Sequence, residues 1–107
     1  MKKILSAILS IGIFFSIFIW LIPLSKSKNE LGRDIFVNKG NCASCHTLSD
    51  ASSYSNIGPN LDYRKPSKAR VLYTVMEGAG AMQSLEGILS KEEMEIVADY
   101  VYEVTKK

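Results

Sequence analysis

The chain opens on an apolar run and then changes character. Ile4 through Ile22 carries no charged residue and follows Lys2 and Lys3. A helix built from that run is apolar on every face, unlike the one-sided stripe of a helix packed on a soluble core. Beyond Ser25 polar and apolar positions alternate at helical spacing. A first helix is expected over about Glu30 to Lys39, with Ile35 and Phe36 on its apolar side and Gly40 as its stop. Gly32 lies inside it, at a cost of about 1 kcal/mol relative to Ala. Close contact with another backbone would offset that cost, and the last helix offers the partner.

Pro66-Ser67 begins a second helix, Lys68 to Glu77, whose apolar positions are Val71, Leu72, Val75 and Met76. Ser90-Lys91-Glu92-Glu93 has the form of a capping box and starts the final helix. There Val97, Tyr100, Val101 and Val104 share one face, with Met94 a turn earlier and Lys106 and Lys107 at the negative end of the dipole. Between these helices, Thr47 to Asn56 reads as an exposed polar loop. Gly58-Pro59-Asn60-Leu61 reads as a turn, and Gly78-Ala79-Gly80-Ala81 as a flexible segment ending at Met82. No repeat and no strand alternation competes with an all-α reading.

The apolar run sets the domain plan: residues 1–25 as signal peptide or membrane anchor, 26–29 as linker, and 30–107 as the folded domain. A stretch of about twenty apolar residues suits a bilayer span, whereas signal-peptide cores run to about 7–15. Trp20 suits an interfacial anchor and Pro23 marks where the helix stops. Ser25 and Ser27 offer small residues for cleavage, but no Ala-x-Ala is present. A retained anchor is favoured, with residues 4–22 in the membrane and Lys2 and Lys3 inside. Lys26 and Lys28 on the far side weaken that asymmetry.

The net charge of +2 comes from Lys2 and Lys3 alone, because 11 basic and 11 acidic side chains balance beyond Ser25. Nucleic acid is not an implied partner. Arg64, Lys65, Lys68 and Arg70 do cluster, while Glu92, Glu93, Glu95, Asp99 and Glu103 make the last helix acidic. Such a distribution reads either as ordinary solvated surface or as a bipolar surface that orients the domain against a partner.

The chemistry gathers in Cys42-Ala43-Ser44-Cys45-His46. This is the signature of covalent c-type haem attachment. Two thiols three positions apart on one turn can reach the two vinyl groups on one porphyrin edge, and the adjoining imidazole then sits beneath the iron. Cys-x-x-Cys alone would also suit a redox disulfide or half a zinc site. Yet Cys42, Cys45 and His46 are the chain's only cysteines and histidine. A zinc site lacks its fourth ligand, and the βαβ setting of a thioredoxin-like motif is not visible. Haem is attached outside the cytoplasmic membrane in bacteria, which places the domain on that side.

With these pieces in order, residues 30–107 resemble a small class I cytochrome c. The resemblance rests on Gly32 and Phe36 in the first helix and on Cys42-Ala43-Ser44-Cys45-His46 directly after it. It continues through Gly58-Pro59-Asn60-Leu61, the Gly-x-Gly-x-Met segment and the closing Val97-Ala98-Asp99-Tyr100-Val101. It implies three main helices around one covalently bound haem c, held by Cys42 and Cys45, with the first and last helices crossing at Gly32. By the same resemblance the Pro59 carbonyl accepts a hydrogen bond from His46 Nδ1–H, leaving Nε2 for iron. Met82 becomes the sixth ligand, whereas Met76 and Met94 belong to the core. Gln83 follows Met82 where many members have proline, which predicts a less stiff loop. The pocket is expected from Ile57, Leu61, Leu72, Val75, Leu85 and Leu89.

The resemblance implies a one-electron carrier and not an enzyme. His/Met ligation leaves no open position on iron and favours Fe(II). The expected partners are redox proteins: a quinol-oxidising complex or dehydrogenase as donor and a terminal oxidase as acceptor. The domain is expected to be monomeric, on the periplasmic side of the membrane or in the soluble periplasm if the leader is removed. The alternative is a haem-bearing subunit of a specific oxidoreductase such as a sulfur-compound dehydrogenase. A haem sensor with an open sixth site and a thiol–disulfide oxidoreductase are further alternatives.

Overall fold

The computed structural model describes residues 25–107; the apolar run Ile4–Ile22, with Trp20 and Pro23, lies outside them. Among the described residues no helix is long and apolar enough to cross a membrane. Helix α1 (Lys28–Asp34) starts ahead of its expected position because the Ser27 side chain caps it, accepting from the Glu30 amide at 3.2 Å. It continues as a π turn over Ile35–Lys39, closed by the Gly40 amide donating to the Ile35 carbonyl at 2.7 Å. A π turn inserts one residue per turn and so re-aims the next segment of chain. Here that segment is the attachment motif.

A second departure lies in the stretch expected to be an exposed loop. Thr47–Leu48 (β1) and Ser53–Tyr54 (β2) form an antiparallel hairpin, pairing Thr47 with Tyr54 and Leu48 with Ser53. Leu48, Ala51 and Ser53 are buried in it. Burial of one aliphatic side chain, Leu48, anchors an otherwise polar segment, and the Asp62 carboxylate accepts from the Ser49 amide at 2.9 Å. The architecture is therefore mostly helical with one minimal sheet.

Helix α2 (Leu61–Arg64) is a single turn capped by Asn60, α3 spans Lys68–Glu77 with Ser67 as cap, and α4 spans Lys91–Thr105. The capping box at Ser90 is complete: Ser90 Oγ accepts from the Glu93 amide at 3.1 Å and Glu93 Oε1 accepts from the Ser90 amide at 2.9 Å. The core is made by α1 and α3 packing on α4, through Ile35, Phe36, Val75, Met94, Val97, Tyr100 and Val101, with Leu85 and Leu89. Gly32 is where α1 meets α4. A Cβ there would sit 2.3 Å from Tyr100 Cβ, so only glycine permits this approach. Phe36 and Tyr100 meet beside it edge to face, centroids 6.2 Å apart.

Candidate functional site

Helix α1 delivers the attachment motif through Gly40 and Asn41. A Cβ at Gly40 would lie 3.1 Å from the Ile35 carbonyl and 3.3 Å from Cys42 Sγ, so the π turn and the first thiol leave room for little else. Asn41 takes the left-handed conformation, with φ +52°, one that Asn tolerates better than most residues. Its carbonyl accepts from Ser44 Oγ at 2.7 Å. Cys42–Ser44 then form one tight helical turn, with the Cys45 and His46 amides both donating to the Cys42 carbonyl at 3.1 and 3.0 Å. Cys42 and Cys45 are both half-buried. Desolvation pushes the Cys42 thiol up to about 11, with a smaller contribution from the nearby Cys45.

The turn at Gly58-Pro59 closes over the histidine. Gly58 donates from its amide to the Cys45 carbonyl at 2.6 Å, and His46 Nδ1 lies 2.7 Å from the Pro59 carbonyl. A carbonyl can only accept, so Nδ1 carries the proton and Nε2 keeps its lone pair. A Cβ at Gly58 would fall 2.8 Å from His46 Cε1, so the absence of a side chain there is what lets the turn lie against the ring. Among the described residues no three His, Cys or carboxylate side chains gather in the geometry of a bare metal site. Two cysteines on one turn, an imidazole held through Nδ1 with Nε2 left for a metal, and a glycine cradle fit a covalently tethered haem; they do not fit a closed zinc site.

Met82 sits in a turn more firmly held than its glycines suggest. Ala79 and Met82 exchange backbone hydrogen bonds at 2.9 Å in both directions, with Gly80 at φ +56° between them. Gly78, at φ +79°, has no room for a Cβ, which would lie 2.8 Å from the Met82 carbonyl. Beyond Gln83, Ser84 Oγ donates to the Met76 carbonyl at 2.5 Å and the Leu85 amide to Val75 at 2.8 Å. Hydrogen bonds on either side of Gln83 thus brace the turn where many members of the family have proline. Met82 packs half-buried against the core, as do Cys42, Ala43, Leu61, Leu72 and Met76, while Met94 is fully inside it. Of the expected pocket residues Val75, Leu85 and Leu89 are buried, Leu61 and Leu72 are half-buried, and Ile57 is 79% exposed in the polypeptide.

The surface charges are partly spent within the fold. Asp99 bridges Lys68 at 2.8 Å and Lys28 at 3.7 Å, and Lys39 pairs with Glu93 at 2.6 Å. Arg64 and Arg70 stay exposed beside α2 and α3. Sequence reasoning missed the hairpin's contribution to the site. Thr47 Oγ1 donates to the Ser55 carbonyl at 2.8 Å, and the buried Ser53 hydroxyl reaches the attachment motif itself. Leu48, a lone large aliphatic next to a β-branched Thr in a polar run, was the available signal.

The sequence model of a family described as cytochrome c oxidase, cbb3-type, subunit III, matches residues 28–101. Cytochrome c6 of Microcystis aeruginosa is 35% identical over 80 residues, covering 71% of this chain and 96% of the relative. Cytochrome c6 of a Nostoc species is 33% identical over 105 residues, 94% of this chain and 92% of the relative. Among solved structures, the c-type cytochrome SorU from Sinorhizobium meliloti superposes with a TM-score of 0.70 at 48% identity, covering 75% of this chain and 93% of that one. The family match over residues 28–101 spans the attachment motif, the Gly-Pro turn and most of the closing helix together. The chain belongs to the cytochrome c family: it is a small class I, mono-haem c-type cytochrome, whose haem c is bound covalently through Cys42 and Cys45.

Proposed function

We propose that this cytochrome is a one-electron carrier with His46 and Met82 as axial ligands, working on the outer side of the cytoplasmic membrane. The observation that carries the ligand assignment is the 2.7 Å contact from His46 Nδ1 to the Pro59 carbonyl. It fixes the tautomer, orients the ring and raises the basicity of Nε2, as outer partners of metal-bound histidines do. When bound, haem supplies a Fe(III)/Fe(II) couple whose potential is set by its axial ligands and by burial.

The polypeptide's part is to hold both ligands still. Cys42 and Cys45 tether the group, Pro59 orients His46, and the reciprocal Ala79–Met82 bonds present the thioether from a braced turn. Met82 as a soft donor favours Fe(II) and leaves no position for a substrate. Residues that do not move between oxidation states oppose electron transfer least. Redox proteins are the partners this chemistry requires: a quinol-oxidising complex or a dehydrogenase as donor, a terminal oxidase as acceptor. Residues 4–22 would tether the domain if retained, and the domain acts as a monomer.

The test is the optical spectrum of the oxidised and reduced holoprotein beside that of Met82→Ala. The native ferric form is expected to show the sulfur-to-iron charge-transfer band and the ferrous form to bind carbon monoxide slowly. Met82→Ala is expected to lose the band, open the sixth position to carbon monoxide and lower the reduction potential. An identical spectrum in the variant overturns the Met82 assignment.

A further inference from the structure

The attachment motif is gripped from two sides. On one side lies the Gly58-Pro59 turn. On the other lies the hairpin, and its contact is a single buried residue. Ser53, 5% exposed, sits on β2 with its hydroxyl 2.5 Å from the His46 carbonyl and 3.0 Å from the Ala43 carbonyl. A hydroxyl has one hydrogen, so it is shared between the two acceptors with the larger part toward His46.

Every carbonyl from Cys42 to His46 whose partner is seen is engaged in this way. The Cys42 carbonyl takes the Cys45 and His46 amides, Ala43 and His46 take Ser53, and Cys45 takes the Gly58 amide. Without Ser53 the motif would be fixed at Cys42 and Cys45 only. The ψ torsion at His46 would then be held only through Thr47, by its pairing with Tyr54 and its bond to the Ser55 carbonyl, and the imidazole, pinned at Nδ1 by Pro59, would gain play about that hydrogen bond.

We infer that Ser53 is a positioning residue for His46: its hydroxyl locks the backbone at the Cα from which the imidazole hangs, so that ring orientation is set at both ends. The inference rests on the reading of His46 as an axial ligand. It gives the hairpin a role: Leu48 buries it, Asp62 holds its turn, and Ser53 is the group it delivers to the site.

The experiment uses the holoprotein matured with its haem, as Ser53→Ala, Ser53→Thr and Ser53→Val. Thr keeps the hydroxyl, and Val matches Thr in shape without it. Two readouts are taken: amide hydrogen exchange, and the proton NMR spectrum of the ferric form, in which haem-methyl shifts report the orientation of the axial ring. In Ser53→Ala and Ser53→Val the amides of Cys45, His46 and Gly58 are expected to exchange about tenfold faster, while those of Phe36 and Val101 hold their rates. The haem-methyl shifts are expected to redistribute in both variants and to return toward native in Ser53→Thr.

A uniform loss of protection across α4 would mark a merely structural role and overturn the inference. So would native methyl shifts in Ser53→Val. If Ser53→Ala yields no holoprotein, the Thr and Val pair decides: equal behaviour of the two refutes the inference. Failure of the ligand reading is separable, because a native ferric spectrum without an imidazole ligand would refute that reading before any variant is made.

Discussion

At position 32 the absence of a side chain sets how closely two helices approach. Gly32 weakens α1 by about 1 kcal/mol of intrinsic propensity, yet an alanine methyl would meet Tyr100 Cβ at 2.3 Å and Tyr100 Cγ at 2.8 Å. Neither atom is the free end of a flexible chain, so α1 and α4 would have to part. Overpacking of that kind costs about 1–3 kcal/mol and sometimes more. Gly32→Ala is therefore expected to lose about 1 kcal/mol net in denaturant unfolding of the holoprotein, in spite of its better propensity. A gain in stability would mean that the helices are not in contact there. The role of Gly32 was legible because a glycine inside a helical pattern asks for a reason. The same holds for Cys42, Cys45 and His46, where residue type and spacing carry the chemistry. Ser53 and Asp50 were not legible. A serine among serines has no signature, and the Asp50 carboxylate finds its partner, the Tyr100 hydroxyl that donates to it at 2.6 Å, fifty positions along the chain.

Elements divide along the same line. Helix α3 and the start of α4 could be placed because each combines a periodic apolar face with a serine cap, and local sequence holds both signals. Ser90→Ala removes one bond of the capping box directly and leaves the other without its orienting partner, so about 1 kcal/mol of stability is expected to be lost. Thermal unfolding of Ser90→Ala against Ser90→Thr checks this, because Thr retains the acceptor. Equal midpoints would show the cap to be idle. The hairpin gave no such warning. Strands of two residues are too short for alternation, and this pair is held by Leu48 burial and by side-chain bonds from Ser53, Thr47 and Asp62 to distant backbone. The Met82 turn likewise finds partners outside it, at Val75 and Met76, which its own glycine-rich sequence does not announce.

For the molecule as a whole, charge ties the ends of the helices together. Lys28 at the start of α1 and Lys68 at the start of α3 converge on Asp99 of α4, and Lys39 at the end of the π turn reaches Glu93. The Lys68 hydrogen bond, reinforced by Lys28, holds the Asp99 carboxyl below its ordinary range. The Lys39 hydrogen bond and the Ser90 amide do the same for Glu93. A carboxyl depressed in the folded state contributes stability that is present above its unfolded pKa and is lost as pH falls through the folded one. The loss therefore begins near the ordinary values of 4.5 for Glu93 and 3.8 for Asp99 and continues below them. Lys68 is shifted upward by its bond to Asp99, so its share is complete at neutral pH and fades only as pH rises past its ordinary value of 10.5. The lysines are exposed and the carboxylates only half-buried, so each pair contributes little and is weakened by salt. The expected signature is a slope and not a collapse. Stability from urea unfolding should fall in acid faster for the native holoprotein than for Asp99→Asn combined with Glu93→Gln. The two curves should converge as pH drops through the carboxylate range, and the gap at pH 7 should shrink in high salt. A gap that persisted in strong acid would show that the substitutions act through packing rather than through charge.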